Sequence, residues 1–245
     1  IFGNIRLGGS AMIDVAVHEP PLVFASLLAE RLERLGVPVR RDAQGRPVVR
    51  LARDGERFGD FETAAVVRTA MADVLRRSNT NSQNLYTEAL LKRVGHVVTR
   101  EPGSWTNGSA VVRMLIADDL GPEHASRTSI ADGSGMSREN RVAPDTLTAW
   151  LGSLLGREQI APALLESMPG PGEGTLRRRF GDASLRNRVF AKSGTLNGVR
   201  CLSGYVITHD SSQSLAFSVM VNDANQGKQI RDALDLHEEI VGAID

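Results

Sequence analysis

The chain of 245 residues has a single cysteine, Cys201, so no internal disulfide and no cysteine-based zinc cluster can form within it. It lacks an excess of either charge: 29 Lys plus Arg stand against 29 Asp plus Glu, and no net field draws it to nucleic acid or to an anionic membrane. Nucleic acid is not an expected partner. No apolar run approaches the roughly 18 residues of a membrane span. No basic, apolar, small-residue secretion signal opens the chain, so any export signal is expected to be already gone. The first residue is Ile1 rather than methionine, and Ile1-Phe2-Gly3-Asn4-Ile5-Arg6-Leu7 reads as strand under way, which predicts a natural start upstream. The five histidines, His18, His96, His124, His209 and His237, are scattered without metal-ligand spacing, and no metal or other cofactor is expected.

What is present suits one ordinary domain over residues 1–245. With 41% apolar and 24% charged residues, the chain can bury a sizeable core and is too apolar for disorder. It carries no repeat, low-complexity tract or linker. Residues 11–17 predict a short strand. Pro20-Pro21 then open a helix with Leu22, Val23, Leu27, Leu28, Leu32 and Leu35 at helical spacing and Gly36 as its stop. Residues 37–58 are rich in Arg, Asp and Gly, with Val48, Val49 and Leu51 as a short strand. An apolar stripe of Val66, Val67, Ala70, Met71, Val74 and Leu75 predicts a second helix over 61–77. A third follows over 83–94, closed by Gly95, which leaves Ser82 and Asn84 at a helix–loop–helix junction.

Residues 103–108 read as a turn-rich loop before a helix over 109–120, and Asp132-Gly133-Ser134-Gly135 as a sharp turn. A helix over 146–155 and a loop over 168–174 follow. The pattern then changes to three strands, at 187–196, 200–208 and 214–222, which predict an antiparallel meander. An amphipathic helix over 226–241 offers Ile230, Leu234, Ile240 and Val241 to that sheet.

Two short motifs stand out against this background: Ser82-Gln83-Asn84 at the junction and Lys192-Ser193-Gly194-Thr195 in the first strand of the meander. Taken alone, each has a plain structural reading. The serine can cap the helix that follows, and the lysine can face water near a bulge. Asp132 to Gly135 likewise needs no more than a structural turn, and Trp105 and Trp150 read as packing.

Together, and in this order, the motifs resemble the second and third elements of the penicillin-recognising serine enzymes, whose signature is S-x-x-K, S-x-N and K-T-G. Serine in place of the middle threonine keeps the hydroxyl. The wider segments Ser82 to Leu91, Asp132 to Arg138 with Asn140-Arg141-Val142, Gly174-Thr175-Leu176, Lys192 to Leu196 and Leu202 to Val206 resemble the class C low-molecular-mass penicillin-binding proteins. The likeness extends back to Val15-Ala16-Val17-His18-Glu19-Pro20.

The resemblance implies an α/β fold similar to serine β-lactamases and transpeptidases, a mainly antiparallel sheet flanked by helices. The chain would be the C-terminal part of that catalytic domain, incomplete because the N-terminal segment is absent. It implies a D-Ala-D-Ala carboxypeptidase/endopeptidase acting on peptidoglycan stem peptides through an acyl-enzyme, and inhibited by β-lactams. The implied setting is the periplasm or another extracytoplasmic space, with peripheral membrane association of the parent protein compatible with it. By the same resemblance, Ser82 helps relay a proton to the leaving D-alanine and Asn84 hydrogen-bonds the substrate backbone. Lys192 sets a positive charge beside the terminal carboxylate, which the hydroxyls of Ser193 and Thr195 also bind. Gly194 admits the substrate against the strand, and the Thr195 amide is a candidate oxyanion donor.

The S-x-x-K element is not in these residues. The three lysines, Lys92, Lys192 and Lys228, follow Ala89, Val189 and Asn225 at that distance. The expectation is a fragment, a partial record of a longer molecule or a natural loss, with the isolated chain nearly inert. A non-catalytic peptidoglycan-binding or scaffold protein on the same fold is the alternative, and a β-lactamase or esterase a third.

Overall fold

A computed structural model describes residues 17–53, 55–57, 59, 62, 65–208 and 213–244. The strands expected over 1–7 and 11–17 fall outside these residues except for Val17. The chain divides into two compact units, residues 1–66 and 67–245.

In the first unit, helix α1 spans Pro20–Arg34 with proline in its first turn, where the missing amide costs no hydrogen bond. The strand expected at Val48 to Leu51 does not form. A single bridge pairs Arg41 with Pro47, and Val48 and Leu51 remain exposed. Ion pairs Arg41–Glu33, Arg46–Asp42 and Arg50–Glu56 hold this stretch instead.

The second unit opens with α2 (Met71–Asn79) and α3 (Asn84–Thr99). Helix α2 starts ten residues later than the apolar stripe predicts, and Val66 and Val67 lie 67% and 93% exposed. A stripe with nothing to pack on does not hold a helix, and two adjacent β-branched valines favour it least.

Helix α3 runs on through Gly95 to a left-handed Arg100, and α4 (Trp105–Leu120) starts earlier than expected. Both differences come from packing. A Cβ on Gly95 would lie 2.2 Å from Asn107 Oδ1, and one on Gly108 would lie 2.4 Å from the Leu91 carbonyl oxygen. These glycines serve close helix approach rather than termination. Ser104 and Asn107 form a capping box that starts α4 inside the expected loop.

After α5 (Pro122–Ser126), α6 (Pro144–Leu155) and α7 (Ala161–Ser167), the chain enters the sheet. Strands β1 (Val189–Leu196), β2 (Gly198–Ile207) and β3 (Ser214–Ala224) form an antiparallel meander in the order β1-β2-β3, as the alternation predicts. Leu176, Phe180, Val189, Ala191, Leu202, Val206, Phe217 and Val241 pack into one core, the last from helix α8 (Gly227–Ala243). A second cluster sets Tyr205 against Leu151 and Met168, and its hydroxyl donates to the Leu151 carbonyl at 3.0 Å.

Helix α8 also buries His237 completely. Burial is the main force holding its ring at a pKa of about 4, and the Arg179 guanidinium adds to it, while the Arg200 backbone pulls the other way too weakly to offset them. The ring is thus neutral in the folded protein where an unfolded one, with its ordinary value near 6.5, takes up a proton. The unfolded state binds more protons between those two values, so stability falls as pH drops from 6.5 toward 4 and levels off below. Urea midpoints measured across pH 7 to 4 are expected to decline over this window. The His237→Phe variant is expected to show a shallower decline.

Candidate active site

The two motifs meet. Lys192 Nζ donates to Ser82 Oγ at 2.9 Å and to the Ser193 carbonyl at 2.6 Å, joining residues 110 apart in the chain. The lysine is half-buried and meets no carboxylate among the described residues, and burial pushes its pKa below the ordinary lysine value. Neither plain structural reading holds. The half-buried lysine directs its ammonium to Ser82 and the Ser193 carbonyl rather than standing free in water, and Ser82 is not the cap of α3, because Gln83 takes that position without a side-chain cap bond. Ser82 instead has φ 54, in the left-handed region, which frees its hydroxyl from the helix start.

Three ties hold the junction against the sheet. Thr80 Oγ1 donates to the Ser167 carbonyl at 2.8 Å, and Asn79 Nδ2 to Ser167 Oγ at 2.7 Å, so the end of α2 is fastened to the end of α7. Two residues on, the Pro169 carbonyl accepts from the Ala191 amide at 3.1 Å, beside Lys192. The third tie is contact. Gly174 has φ 43, and a Cβ there would lie 2.4 Å from the Thr80 carbonyl oxygen, so the turn over Gly174–Leu176 rests directly on the junction.

The register of β1 fixes what its edge presents. The Ile207 amide donates to the Arg188 carbonyl, so alternate β1 amides from that point face β2. The amides of Ala191, Ser193 and Thr195 therefore point away from β2, as the bond from Ala191 to Pro169 confirms for the first of them. Beside this edge lies an open cleft of about 640 Å³, lined by Thr80, Asn81, Ser82, Gly174, Thr175, Arg177, Arg178, Ser193 and Thr195. Gly194 pairs with Cys201, whose Cβ would lie 3.3 Å from a Cβ on the glycine. Asn84 begins α3 two residues from Ser82, exposed and outside the residues that line the cleft.

The Asp132 turn is built as the sequence predicts, with its carboxylate accepting from the amides of Gly135 at 2.7 Å and Ser137 at 2.6 Å. Glu88, one turn along α3 from Asn84, fastens this turn to the helix by accepting from the amides of Gly133 and Ser134 and from Trp105 Nε1. Burial opposes ionisation of Glu88, but the hydrogen bonds from Ser134, Trp105 and Gly133 outweigh it and keep the pKa below the ordinary value. Glu88, Thr80, Arg177 and Arg178 were not among the sequence candidates. Glu88 lies within the segment Ser82 to Leu91, and the arginines follow Gly174-Thr175-Leu176, but only the fold shows what they face.

Residues 5–241 match the D-Ala-D-Ala carboxypeptidase 3 (S13) family. The chain belongs to that family. It is 34% identical over 237 residues to a D-alanyl-D-alanine carboxypeptidase of Actinomadura sp., across 91% of this chain and 42% of that protein. The crystal structure of penicillin binding protein 4 from Haemophilus influenzae matches with a TM-score of 0.57 at 26% identity, over 69% of this chain and 39% of that one. The same Haemophilus protein has been solved with a β-lactam bound. An extended spectrum β-lactamase matches with a TM-score of 0.52 at 17% identity, over 71% of this chain and 66% of that one, which shows a shared fold. The expected α/β architecture of this S13 chain is therefore right. The chain spans less than half the length of its carboxypeptidase relative.

The Gly174→Ala variant of this S13 chain is expected to lose about 1–3 kcal/mol of stability, the usual cost of overpacking, because the methyl meets backbone rather than a side chain that can move. Chemical denaturation checks it, and an unchanged midpoint would show that Gly174 does not bear on the junction.

Proposed function

We propose that this chain forms the C-terminal part of a penicillin-binding, transpeptidase-like catalytic domain. In this reading it supplies one wall of the active site of a serine D-Ala-D-Ala carboxypeptidase/endopeptidase that acts on peptidoglycan stem peptides outside the cytoplasm. The observation that carries the reading is the contact of 2.9 Å between Lys192 Nζ and Ser82 Oγ at the edge of the cleft. A proton relay needs hydroxyl and amine within hydrogen-bond reach, and this pair has that distance.

The nucleophile is assigned to an S-x-x-K serine elsewhere in the full-length protein. Its oxygen attacks the carbonyl carbon between two D-alanines, and its proton passes to the lysine of the same S-x-x-K element, which returns it by way of Ser82 as the amine leaves. The amide of Thr195, on the free side of β1, is one donor to the oxyanion. As the carbon–nitrogen bond breaks, Ser82, held by Lys192, passes a proton to the departing nitrogen, and D-alanine leaves with its carboxylate among Lys192, Ser193 and Thr195. Asn84 holds the peptide backbone of the substrate. Water then attacks the ester and restores the serine. A β-lactam presents a similar amide and carboxylate, so the same contacts receive it.

The absence of S-x-x-K from these 245 residues favours one other reading, a non-catalytic peptidoglycan-binding protein that keeps the pocket. Labelled penicillin separates the two. The full-length protein is expected to become covalently acylated, and the Ser82→Ala and Lys192→Met variants to acylate roughly 10²–10⁴ times more slowly, the usual contribution of a positioned proton-transfer group. The isolated chain is expected to form no covalent adduct. Failure of the full-length protein to acylate would favour the binder.

A further inference from the structure

The chain between α5 and α6 does more than turn. Ser129 and Arg141 exchange two backbone hydrogen bonds of 2.8 Å, which close residues 130–140 into one loop. Inside it, Asp132 accepts from Asn140 Nδ2 as well as from the Gly135 and Ser137 amides, and Asn140 Oδ1 accepts from the Ala131 amide, both Asn140 bonds measuring 2.8 Å. A loop cross-braced in this way moves as a unit.

This unit reaches both motifs. On one side Gly133 lies against α3, where a Cβ would stand 2.4 Å from the Thr87 carbonyl oxygen. There Glu88 accepts from the Gly133 and Ser134 amides, both at 3.1 Å, and from Trp105 Nε1 at 2.7 Å, so one carboxylate joins α3, the first residue of α4 and the loop. On the other side Arg138 Nη2 donates to the Asn197 carbonyl at 2.7 Å, in the turn between β1 and β2. Arg200 braces the same turn, its Nη1 donating to the Leu196 and Val199 carbonyls. The loop therefore runs from the helix that begins at Asn84 to the turn two residues beyond Thr195.

We propose that Glu88 is a positioning residue for the reaction above, acting through the loop and Arg138 to fix the separation between Asn84 and the Thr195 amide. The proposal rests on the hydrolase reading, in which Asn84 holds the substrate backbone and the Thr195 amide its oxyanion. A substrate held at both points reacts well only if their spacing is kept. The Ser167 ties fix Ser82 against Lys192, and the loop is a second brace made of other residues. A carboxylate suits its anchor because three N–H donors converge there and an ionised carboxylate only accepts. Both oxygens are engaged, so a glutamine would have to set its own N–H groups against one of those donors.

The test is the rate at which saturating labelled penicillin acylates the full-length protein, with urea midpoints measured alongside. Glu88→Ala is expected to slow acylation by about 10- to 100-fold, the cost of moving a binding group by up to roughly 1 Å, while labelling still runs to completion. Glu88→Gln is expected to fall between the two, and it carries the test if Glu88→Ala does not fold. The Glu88→Ala, Arg138→Met double variant is expected to be no slower than the slower single variant, because either substitution already opens the same brace. The pH profile of acylation is expected to keep its shape, since Glu88 passes no proton to the substrate. A lower midpoint or a smaller labelled fraction with an unchanged rate would make Glu88 merely structural and overturn the assignment. Losses that multiply in the double variant, or a displaced pH profile, would overturn it too. If the unsubstituted protein is not acylated at all, the hydrolase reading fails and this proposal with it.

Discussion

The site depends on one corner of the fold, where the end of α7 is fastened on one side to α2 and on the other to β1. Ser167 accepts from Asn79 and Thr80, and Pro169, two residues on, accepts from Ala191. Without that bridge, Ser82 and Lys192 would belong to separate layers of the domain. Ser167 is almost fully buried, so its hydrogen bonds have no water to compete with them, and leaving the groups unpaired would cost more than the bonds themselves contribute. A hydrogen-bonded buried corner is stiff, and stiffness is what the proposed proton relay requires.

The electrostatics of the cleft follow from the same corner. Lys192 gives up part of its hydration to sit beneath the junction, and in place of a carboxylate it finds a hydroxyl and a carbonyl. A carboxylate partner would hold the ammonium more tightly, but it would also cancel the charge that, in the proposed reaction, meets a substrate carboxylate. Glu88, the acid within the Ser82 to Leu91 segment, is committed instead to the Asp132 turn, where three hydrogen bonds keep it ionised. Beside the cleft, Glu88 thus holds a loop in place while Arg177 and Arg178 line the opening.

Much of this was legible in the sequence. The meander and α8 follow from alternation and from a helical stripe, and both signals are local. The junction between α2 and α3 was readable because Ser78-Asn79-Thr80-Asn81 interrupts two apolar patterns. Gly95 and Gly108 misled, since a glycine that ends a helix and a glycine that lets two helices touch look alike until the partner helix is known. Arg177 and Arg178 drew no reading from the sequence, because a run of arginines carries no local sign of what it faces, and only the fold shows that it lines the cleft.

Ser82 shows what this arrangement costs locally. A serine before a helix ordinarily caps it, a contribution of about 1 kcal/mol, and a non-glycine residue in the left-handed region loses about as much again. The chain forgoes both at one position: α3 begins on Gln83 with no side-chain cap, and Ser82 takes φ 54. A strained, uncapped serine persists only where its surroundings over-determine it. Here the Lys192 ammonium, the Ser167 ties behind Thr80 and the backbone of Gly174 do so from three directions. The hydroxyl released from the helix start is the one that meets the lysine. Local stability has been exchanged for the position of a single oxygen, an exchange that a merely structural turn has no reason to make.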